Sequence, residues 1–320
     1  MQQRRVGTSG LVVSRLGLGT WLWGEDIDEH EARDQLMAFA AAGGTLLDTA
    51  ASYGDGASER LLGRLLREVT PAEEMVVATK AGIRPASGRR RIDTSRGALL
   101  RQLDGSLERL GLDAVDLWQL HLWSDDVPWE ETLSALDHAL ASGRTRYVGI
   151  SNYSGWQTGL AHAWQNAVPG RASVISTQVE YSLLNRSVEH EILPAAQALG
   201  VGVLAWAPLA RGVLTGKYRT GTPADSRGAS PHLQANVATY LDADSRSIVE
   251  AVVRAAEGLS LTPAEVALAW VRDRPGVSAA IVGARTAAQL RGSLSVEEVE
   301  LPGEIVDVLD EISDEGAAAL

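Results

Sequence analysis

The chain predicts a parallel (β/α)8 barrel, the α/β TIM-barrel architecture, built as one domain over residues 1–320. Three observations lead there. An amphipathic helix, a glycine and a short apolar strand recur in that order along the chain; 320 residues suit such a barrel with insertions; and no linker with a shift in composition divides it.

Ahead of the barrel, residues 4–13, with Thr8-Ser9-Gly10 at the turn, read as an N-terminal β-hairpin capping its bottom. The first barrel strand is placed at 16–19. A helix over 29–42 has Asp28 as N-cap with Glu31 at its third position, ends at Gly43-Gly44 and leads into a strand at 45–48. A third strand lies at 75–79. The helix over 94–110, with leucines at 99, 103, 107 and 110, closes at Gly111 before a strand at 114–120. The helix over 128–141 stops at Gly143 before 145–150, and a sixth strand lies at 174–178. A helix over 187–199 ends at Gly200 ahead of 201–205, and Pro275-Gly276 precedes the eighth strand at 277–282. Two extended βα loops complete the count: a long one over 212–242, rich in Gly, Pro, Ser and Thr, and a shorter one over 123–128. Residues 192–210 carry no charge, but Pro194, Gly200, Gly202 and Pro208 break them into core segments rather than a membrane span.

Composition narrows the function. With no cysteine, disulfides, thiolate catalysis, iron–sulfur clusters and cysteine-ligated zinc are excluded. Forty-one acidic against 29 basic residues give a net charge of −12, which argues against nucleic acid or an anionic membrane as partner. The first 18 residues lack an apolar run of signal-peptide length, so a cytoplasmic protein is expected. Gly17-Leu18-Gly19 is no dinucleotide fingerprint, because its third glycine is Leu22 and bulky Trp21 and Trp23 crowd the turn. The stretch from Gly212 to Tyr218 has one residue too few for a phosphate loop. Arg89-Arg90-Arg91, near Arg84, reads as a solvated loop, and the six dispersed histidines form no metal set.

In such a barrel, reactive groups sit where strands end. Those positions carry Asp48, Lys80, His121, Ser151 with Asn152, Gln178 and, just past the last strand, Arg285. Of the 29 basic residues only Lys80 and Lys217 are lysines, which singles out sites where a compact, tunable ammonium is wanted. Tyr53 follows Asp48 by five residues. Asp48 holds Lys80 charged, the ammonium favours the phenolate and lowers the phenol's pKa, and Tyr53 becomes a usable proton donor with His121 available to a carbonyl oxygen.

These residues carry a resemblance. The segments Leu47-Asp48-Thr49-Ala50-Ala51-Ser52-Tyr53-Gly54, Ser58-Glu59-Arg60, Ala78-Thr79-Lys80, Asp116 to His121, Gly143 to Asn152 and Gln178-Val179-Glu180-Tyr181 resemble the aldo-keto reductase family, from about Gly7 to Leu294. The loop Pro208-Leu209-Ala210-Arg211-Gly212 to Lys217, then Ser226-Arg227, resembles the branch holding bacterial general reductases and potassium-channel beta subunits. The resemblance implies NADPH-dependent reduction of aldehydes or ketones to alcohols, with Asp48, Tyr53, Lys80 and His121 catalytic. It implies that Ser151, Asn152 and Gln178 hold the carboxamide of NADPH (NADP+) and that Trp206 stacks on its nicotinamide. Gly19, Thr20, Trp21, Pro208, Leu209, Gly212, Lys217 and Arg227 are the further cofactor contacts, the last four at the pyrophosphate. Gly283, Arg285 and Gln289 belong to the adenosine side, where Arg285 beside N-cap Thr286 suits a 2′-phosphate. Gly292-Ser293 departs from the family's Glu-Asn, which removes its usual adenine hydrogen bonds and points to weaker cofactor affinity.

For the substrate, Trp21, Trp23 and Trp123, with Trp129, are placed as apolar walls suited to aromatic or aliphatic carbonyls. The tail after Asp314 is read as too short for a lid. The partners expected are a small carbonyl substrate and, at most, a weak homo-oligomer. Two other readings compete. A cofactor-binding redox sensor or accessory subunit retains the same residues but turns over slowly, and an isomerase or lyase on this barrel binds no nicotinamide.

Overall fold

The computed structural model describes residues 1–86 and 89–314, with the side chains of 85–90 left aside. Two short antiparallel strands, β1 (Gln3–Arg5) and β2 (Val12–Ser14), form the expected hairpin. Then follow β3 (Leu16–Gly19), α1 (Glu29–Ala41), β4 (Leu46–Asp48), α2 (Ala57–Glu68), β5 (Val76–Ala81), β6 (Ile83–Ala86), β7 (Arg89–Ile92), α3 (Arg96–Leu110) and β8 (Val115–Leu120). The second half runs α4 (Trp129–Ala141), β9 (Thr145–Ser151), α5 (Gly155–Asn166), β10 (Val174–Glu180), α6 (Ile192–Leu199), β11 (Gly202–Trp206), α7 (Gln234–Ala238), α8 (Ala243–Leu259), α9 (Pro263–Arg272), β12 (Val277–Val282), α10 (Ala287–Leu294) and α11 (Gly303–Ile312).

Eight strands close a parallel barrel in the order β3-β4-β5-β8-β9-β10-β11-β12 and back to β3. Its interior is apolar at the bottom. Leu46, Ala78, Leu117, Leu204, Ala279 and Ile281 pack there against Val6, Leu11 and Val13 of the hairpin region, which plugs that end. Gly7 and Gly200 make the plug possible: the Thr8 N–H donates to the Gly200 carbonyl at 2.9 Å, and a Cβ on Gly7 would lie 2.2 Å from that oxygen. A larger cluster, including Leu36, Phe39, Leu62, Leu103, Trp118, Leu136 and Trp270, fills the space between strands and helices.

Local signals account for the helix starts. The Asp28 side chain accepts from the Glu31 N–H, and Ser154 and Thr262 each form reciprocal capping boxes, with Gln157 and Glu265. Gly111 and Gly200 close their helices in the left-handed conformation.

Three sequence expectations are corrected. The helix expected over 187–199 is a 3-10 turn at Ser187–Glu189 and a separate α6, because Pro194 lacks an N–H and fits only within a helix's first turn. The loop expected over 212–242 contains two 3-10 turns, Ala210–Thr215 and Arg227–Ala229, and α7. The arginine run expected in a solvated loop lies in β7, paired antiparallel with β6 in the register Ile83↔Ile92 and Arg84↔Arg91. The tail 315–320 lies outside the described residues, and so does the expectation about it.

α2 seats on α3 through Gly63, where a Cβ would lie 2.5 Å from the Leu110 carbonyl oxygen and 2.6 Å from that of Arg109. Gly63→Ala is expected to destabilise the fold by about 1–3 kcal/mol, since backbone must move and the gain in helix propensity is only about 1 kcal/mol. Urea unfolding with an unchanged m-value checks it.

Candidate active site

The parallel strands deliver their C-terminal residues to one mouth. Asp48 ends β4, Lys80 is the penultimate residue of β5, His121 follows β8, Ser151 ends β9, Gln178 lies near the end of β10, and Trp206 ends β11. Backbone bonds continue past the strands and fix these ends: Thr49 N–H to the Ala78 carbonyl, Ala51 to Lys80, His121 to Ala81 and Asn152 to Gln178, all at 2.8–3.0 Å. Tyr53 is presented by a 3-10 turn, Tyr53–Gly56, whose next three residues, Gly54, Asp55 and Gly56, are left-handed. Gly56 is needed there because a Cβ would meet the Arg109 side chain at 2.5 Å.

Lys80 is 1% exposed. Its Nζ donates to both Asp48 carboxylate oxygens at 2.9 and 2.8 Å, to the Thr49 carbonyl at 2.8 Å and, longer, to the Tyr53 Oη at 3.3 Å. Burial by itself pushes the ammonium's pKa down, but Asp48, Tyr53 and their hydrogen bonds outweigh it and raise the pKa above its ordinary value. Tyr53 and His121 meet edge to face at 6.0 Å between ring centroids. The four residues expected to act together are thus brought together.

The structure also gives Gln178 a task that the sequence reading lacked. Its Nε2 donates to Asp48 Oδ1 at 2.8 Å, so the amide steadies the carboxylate that steadies Lys80. Ser151 Oγ donates to the Gln178 carbonyl, while the Asn152 amide donates to Ser151 Oγ and to the His121 carbonyl. Trp206 Nε1 donates to Asn152 Oδ1 at 3.2 Å, joining the aromatic to the same network. Thr20 is buried, with its hydroxyl bonded to the Asp48 carbonyl and to Ser58, its N–H donating to the same carbonyl and its own carbonyl accepting from Ser58 and the Trp23 N–H, so it braces the site from beneath. Buried Glu59 accepts from Thr79 Oγ1 and Arg109 Nε and clamps the strand ends from behind.

Around the mouth runs a cationic groove. Lys217, Arg227 and Arg285 converge there: burial lowers the pKa of Lys217, as does the charge of each of the two arginines, and Arg227 is lowered by burial and by Arg285. Asp225 and Asp26 lie close enough to act on Lys217 and Arg227, but the three cations outnumber them, and that excess of positive charge suits phosphate. The 3-10 turn Ala210–Thr215 supplies a cradle, with Ala210, Arg211 and Gly212 all left-handed, and a Cβ on Gly212 would lie 3.1 Å from Lys217 Nζ. Pro208 is buried and Leu209 half-buried beside it, and a Cβ on Gly19 would meet Ile281 at 2.9 Å. Arg227 lies 6.0 Å over the Trp21 ring and reaches the carbonyl of exposed Gly283 at 3.4 Å. Gln289 Oε1 accepts from the Arg285 N–H, and Thr286 caps α10 as expected. A Cβ at Gly292 would meet open space, and the Ser293 hydroxyl is bonded to the Gln289 carbonyl within the helix.

Arg211 and Glu180 stand within the quoted segments, but the sequence reading assigned neither a role. Arg211 bonds Glu180 at 3.2 Å and the Asn236 carbonyl at 3.0 Å while lying over the rings of Trp206 and Tyr240, and Tyr240 also donates to Glu180. This brace fixes Trp206 from behind. Charged residues on a strand end and in a loop carried no spacing signal that would have paired them.

Of the tryptophans expected to wall a substrate pocket, Trp21 and Trp123 are half-buried at the mouth. Trp23 is corrected: it is fully buried, with its Nε1 bonded to Gln35 Oε1 at 3.0 Å, because packing under α1 removes more apolar surface from water than a place on the rim. Trp129 packs on Trp164 at 4.8 Å between α4 and α5.

A closed parallel barrel with a buried Lys–Asp pair beside a tyrosine and a histidine, opening on a phosphate-suited groove, fits the barrel-fold oxidoreductases. The chain belongs to the aldo/keto reductase family, whose model matches residues 15–314. That family uses NAD(P)H and acts on small carbonyl compounds. An uncharacterised oxidoreductase of Bacillus subtilis is 35% identical over 98% of this chain and 96% of its own length. The L-glyceraldehyde 3-phosphate reductase of Escherichia coli K12 is 37% identical, over 91% of this chain and 86% of its own. A probable voltage-gated potassium channel beta subunit of rice is 33% identical, over 98% and 96%. Among the described residues no helix is long and apolar enough to cross a membrane, and no group of His, Asp and Glu is arranged to hold a metal.

Asp48→Asn leaves a fully buried ammonium without its counter-charge and is expected to cost about 3–5 kcal/mol in denaturant unfolding at neutral pH. Because the folded pKa of Lys80 lies above 10.5, the pair's contribution is complete at neutral pH and is lost only as pH rises through the folded value.

Proposed function

We propose that the protein reduces aldehydes or ketones to alcohols with NADPH, with Tyr53 as the proton donor. The observation that carries this reading is the Lys80 ammonium, held by Asp48 and set 3.3 Å from the Tyr53 hydroxyl. A phenol near pKa 10 is a reluctant acid at neutral pH; beside a fixed cation its phenolate is stabilised, so the proton leaves more readily.

A carbonyl oxygen seated between Tyr53 and His121 meets two groups able to donate to it. His121 orients and polarises the carbonyl through a ring N–H, and Tyr53 transfers its proton as negative charge gathers on the oxygen. When bound, the reduced nicotinamide supplies the two electrons and the hydrogen taken up by the carbonyl carbon. Lys80 holds the resulting phenolate until water restores its proton. Ser151, Asn152 and the remaining Gln178 oxygen offer donors and acceptors to a carboxamide, while Trp206 offers a ring face. Gly212, Lys217 and Arg227 suit the pyrophosphate, and Arg285 suits a 2′-phosphate, which favours NADPH over NADH. We place the protein in the cytoplasm as a monomer or weak homo-oligomer.

A second reading draws on the likeness to the rice channel subunit: a cofactor-binding sensor or accessory subunit with slow turnover. NADPH binding without measurable reduction of activated aldehydes would favour it.

Two outcomes are expected. With 4-nitrobenzaldehyde, Tyr53→Phe lowers kcat by roughly 10²- to 10⁴-fold while NADPH still quenches tryptophan fluorescence. Arg285→Ala weakens NADPH binding by about tenfold and leaves NADH nearly unchanged, the difference shrinking at high salt.

A further inference from the structure

Trp156 is the most exposed large apolar side chain among the described residues, at 58%, yet it does not stand alone. It meets Trp123 edge to face at 5.5 Å, and Trp123 meets buried Tyr153 in the same manner at 5.2 Å. The cluster joins two neighbouring strand ends. Trp123 lies two residues past His121, and Trp156 four past Asn152, on the second residue of α5. Its backbone is fixed, since the Trp156 N–H donates to Glu191 Oε1 at 2.7 Å, and Trp123 Nε1 is held by Asp125 at 2.7 Å. An indole left in water on a pinned backbone, and continuous through Trp123 with the loop that begins at His121, forms a ready stacking face.

The same loop carries exposed Asp125 and Asp126. Arg84, in the neighbouring hairpin, is already bonded to Asp93 at 3.2 Å.

We propose that Trp156 and Trp123 form an aromatic shelf that binds the apolar, preferably aromatic, end of an uncharged carbonyl substrate, and that the carboxylates beside it discriminate against substrates with an anionic far end. The proposal rests on the carbonyl-reductase reading for the word substrate, but the shelf is testable apart from it.

The test compares wild type, Trp156→Ala and Trp156→Phe in two assays. Binding of 2-naphthalenemethanol, the product alcohol, is measured by calorimetry with NADP+ present. Turnover is measured with 2-naphthaldehyde, propanal, 4-carboxybenzaldehyde and its methyl ester. Trp156→Ala is expected to weaken naphthyl alcohol binding and raise KM for naphthaldehyde by about threefold to tenfold, the worth of one aromatic contact, with kcat and propanal kinetics unchanged and Trp156→Phe restoring most of the loss. Wild type is expected to favour the ester over the carboxylate by tenfold or more, a ratio that falls with added salt. Unchanged naphthyl alcohol binding in Trp156→Ala, equal losses on naphthaldehyde and propanal, or a preference for the carboxylate overturns the proposal. Alcohol binding that depends on Trp156 without any turnover sustains the shelf and overturns the reductase reading instead.

Discussion

The buried ion pair between Lys80 and Asp48 is the constraint around which the upper half of the barrel is arranged. Placing an ammonium where it is 1% exposed costs several kcal/mol unless opposite charge and hydrogen bonds replace the lost water. Here both carboxylate oxygens and the Thr49 carbonyl do so. The carboxylate in turn is satisfied by Gln178, and the backbone carbonyl of Asp48 by Thr20, which is itself held by Ser58. These partners come from the ends of β3, β4, β5 and β10, so the pair is fully satisfied only with all four strands in register. The chemistry at Tyr53 therefore depends on barrel closure, and loosening a neighbouring strand end would reach the phenol through Lys80.

A layered division of labour follows from that constraint. The bottom of the barrel is filled largely by aliphatic side chains and sealed by the hairpin region, where Ser278 accepts from the Gly7 N–H and Ser14 from the Thr45 N–H. Polar residues gather at the C-terminal ends, where loops can satisfy them. Ser151, Asn152 and Trp206 are linked in a chain of hydrogen bonds to the His121 backbone, which couples the position of the Trp206 indole to that of His121. The Glu180–Arg211 brace locks the far side of Trp206. A rigid platform lowers the ordering cost of binding a planar ring.

How much of this was legible in the sequence varies with the range of the interaction. The N-cap at Asp28, the Gly111 stop and the barrel strands were legible because they rest on neighbours in the chain, and the convergence of Asp48, Tyr53, Lys80 and His121 because a barrel gathers its strand ends at one mouth. Gln178 was singled out, but not as a partner of Asp48, since 130 residues separate them and nothing in either segment announces the contact. Trp23 was misplaced because residue type says that an indole wants to be covered, not whether core or ligand covers it. The hairpin at Ile83–Ala86 and Arg89–Ile92 was missed because three successive arginines look like solvent-exposed loop, and a two-stranded ribbon needs only its backbone pairing and one buried residue, Ile83, to hold it.

The phosphate-suited groove shows the opposite balance from the Lys80 pair. Ala207, Ala210 and Arg211 adopt left-handed backbone conformations despite carrying a Cβ, at a cost of roughly 1 kcal/mol or more each, while burial and the charges of Arg227 and Arg285 lower the pKa of Lys217, and burial and Arg285 lower that of Arg227. None of these features stabilises the chain by itself. They persist because Val213 and Leu214, buried in the same turn, anchor it to the core, and because Arg211 is tied to Glu180 and Asn236. An anionic ligand would relieve the repulsion and use the turned N–H groups together. Its binding would then raise the stability of this face by mass action, whereas the ion pair beneath has its counter-charge built in. Tyr53 thus sits in a permanently assembled setting, whereas the phosphate-suited face would be completed only by a ligand.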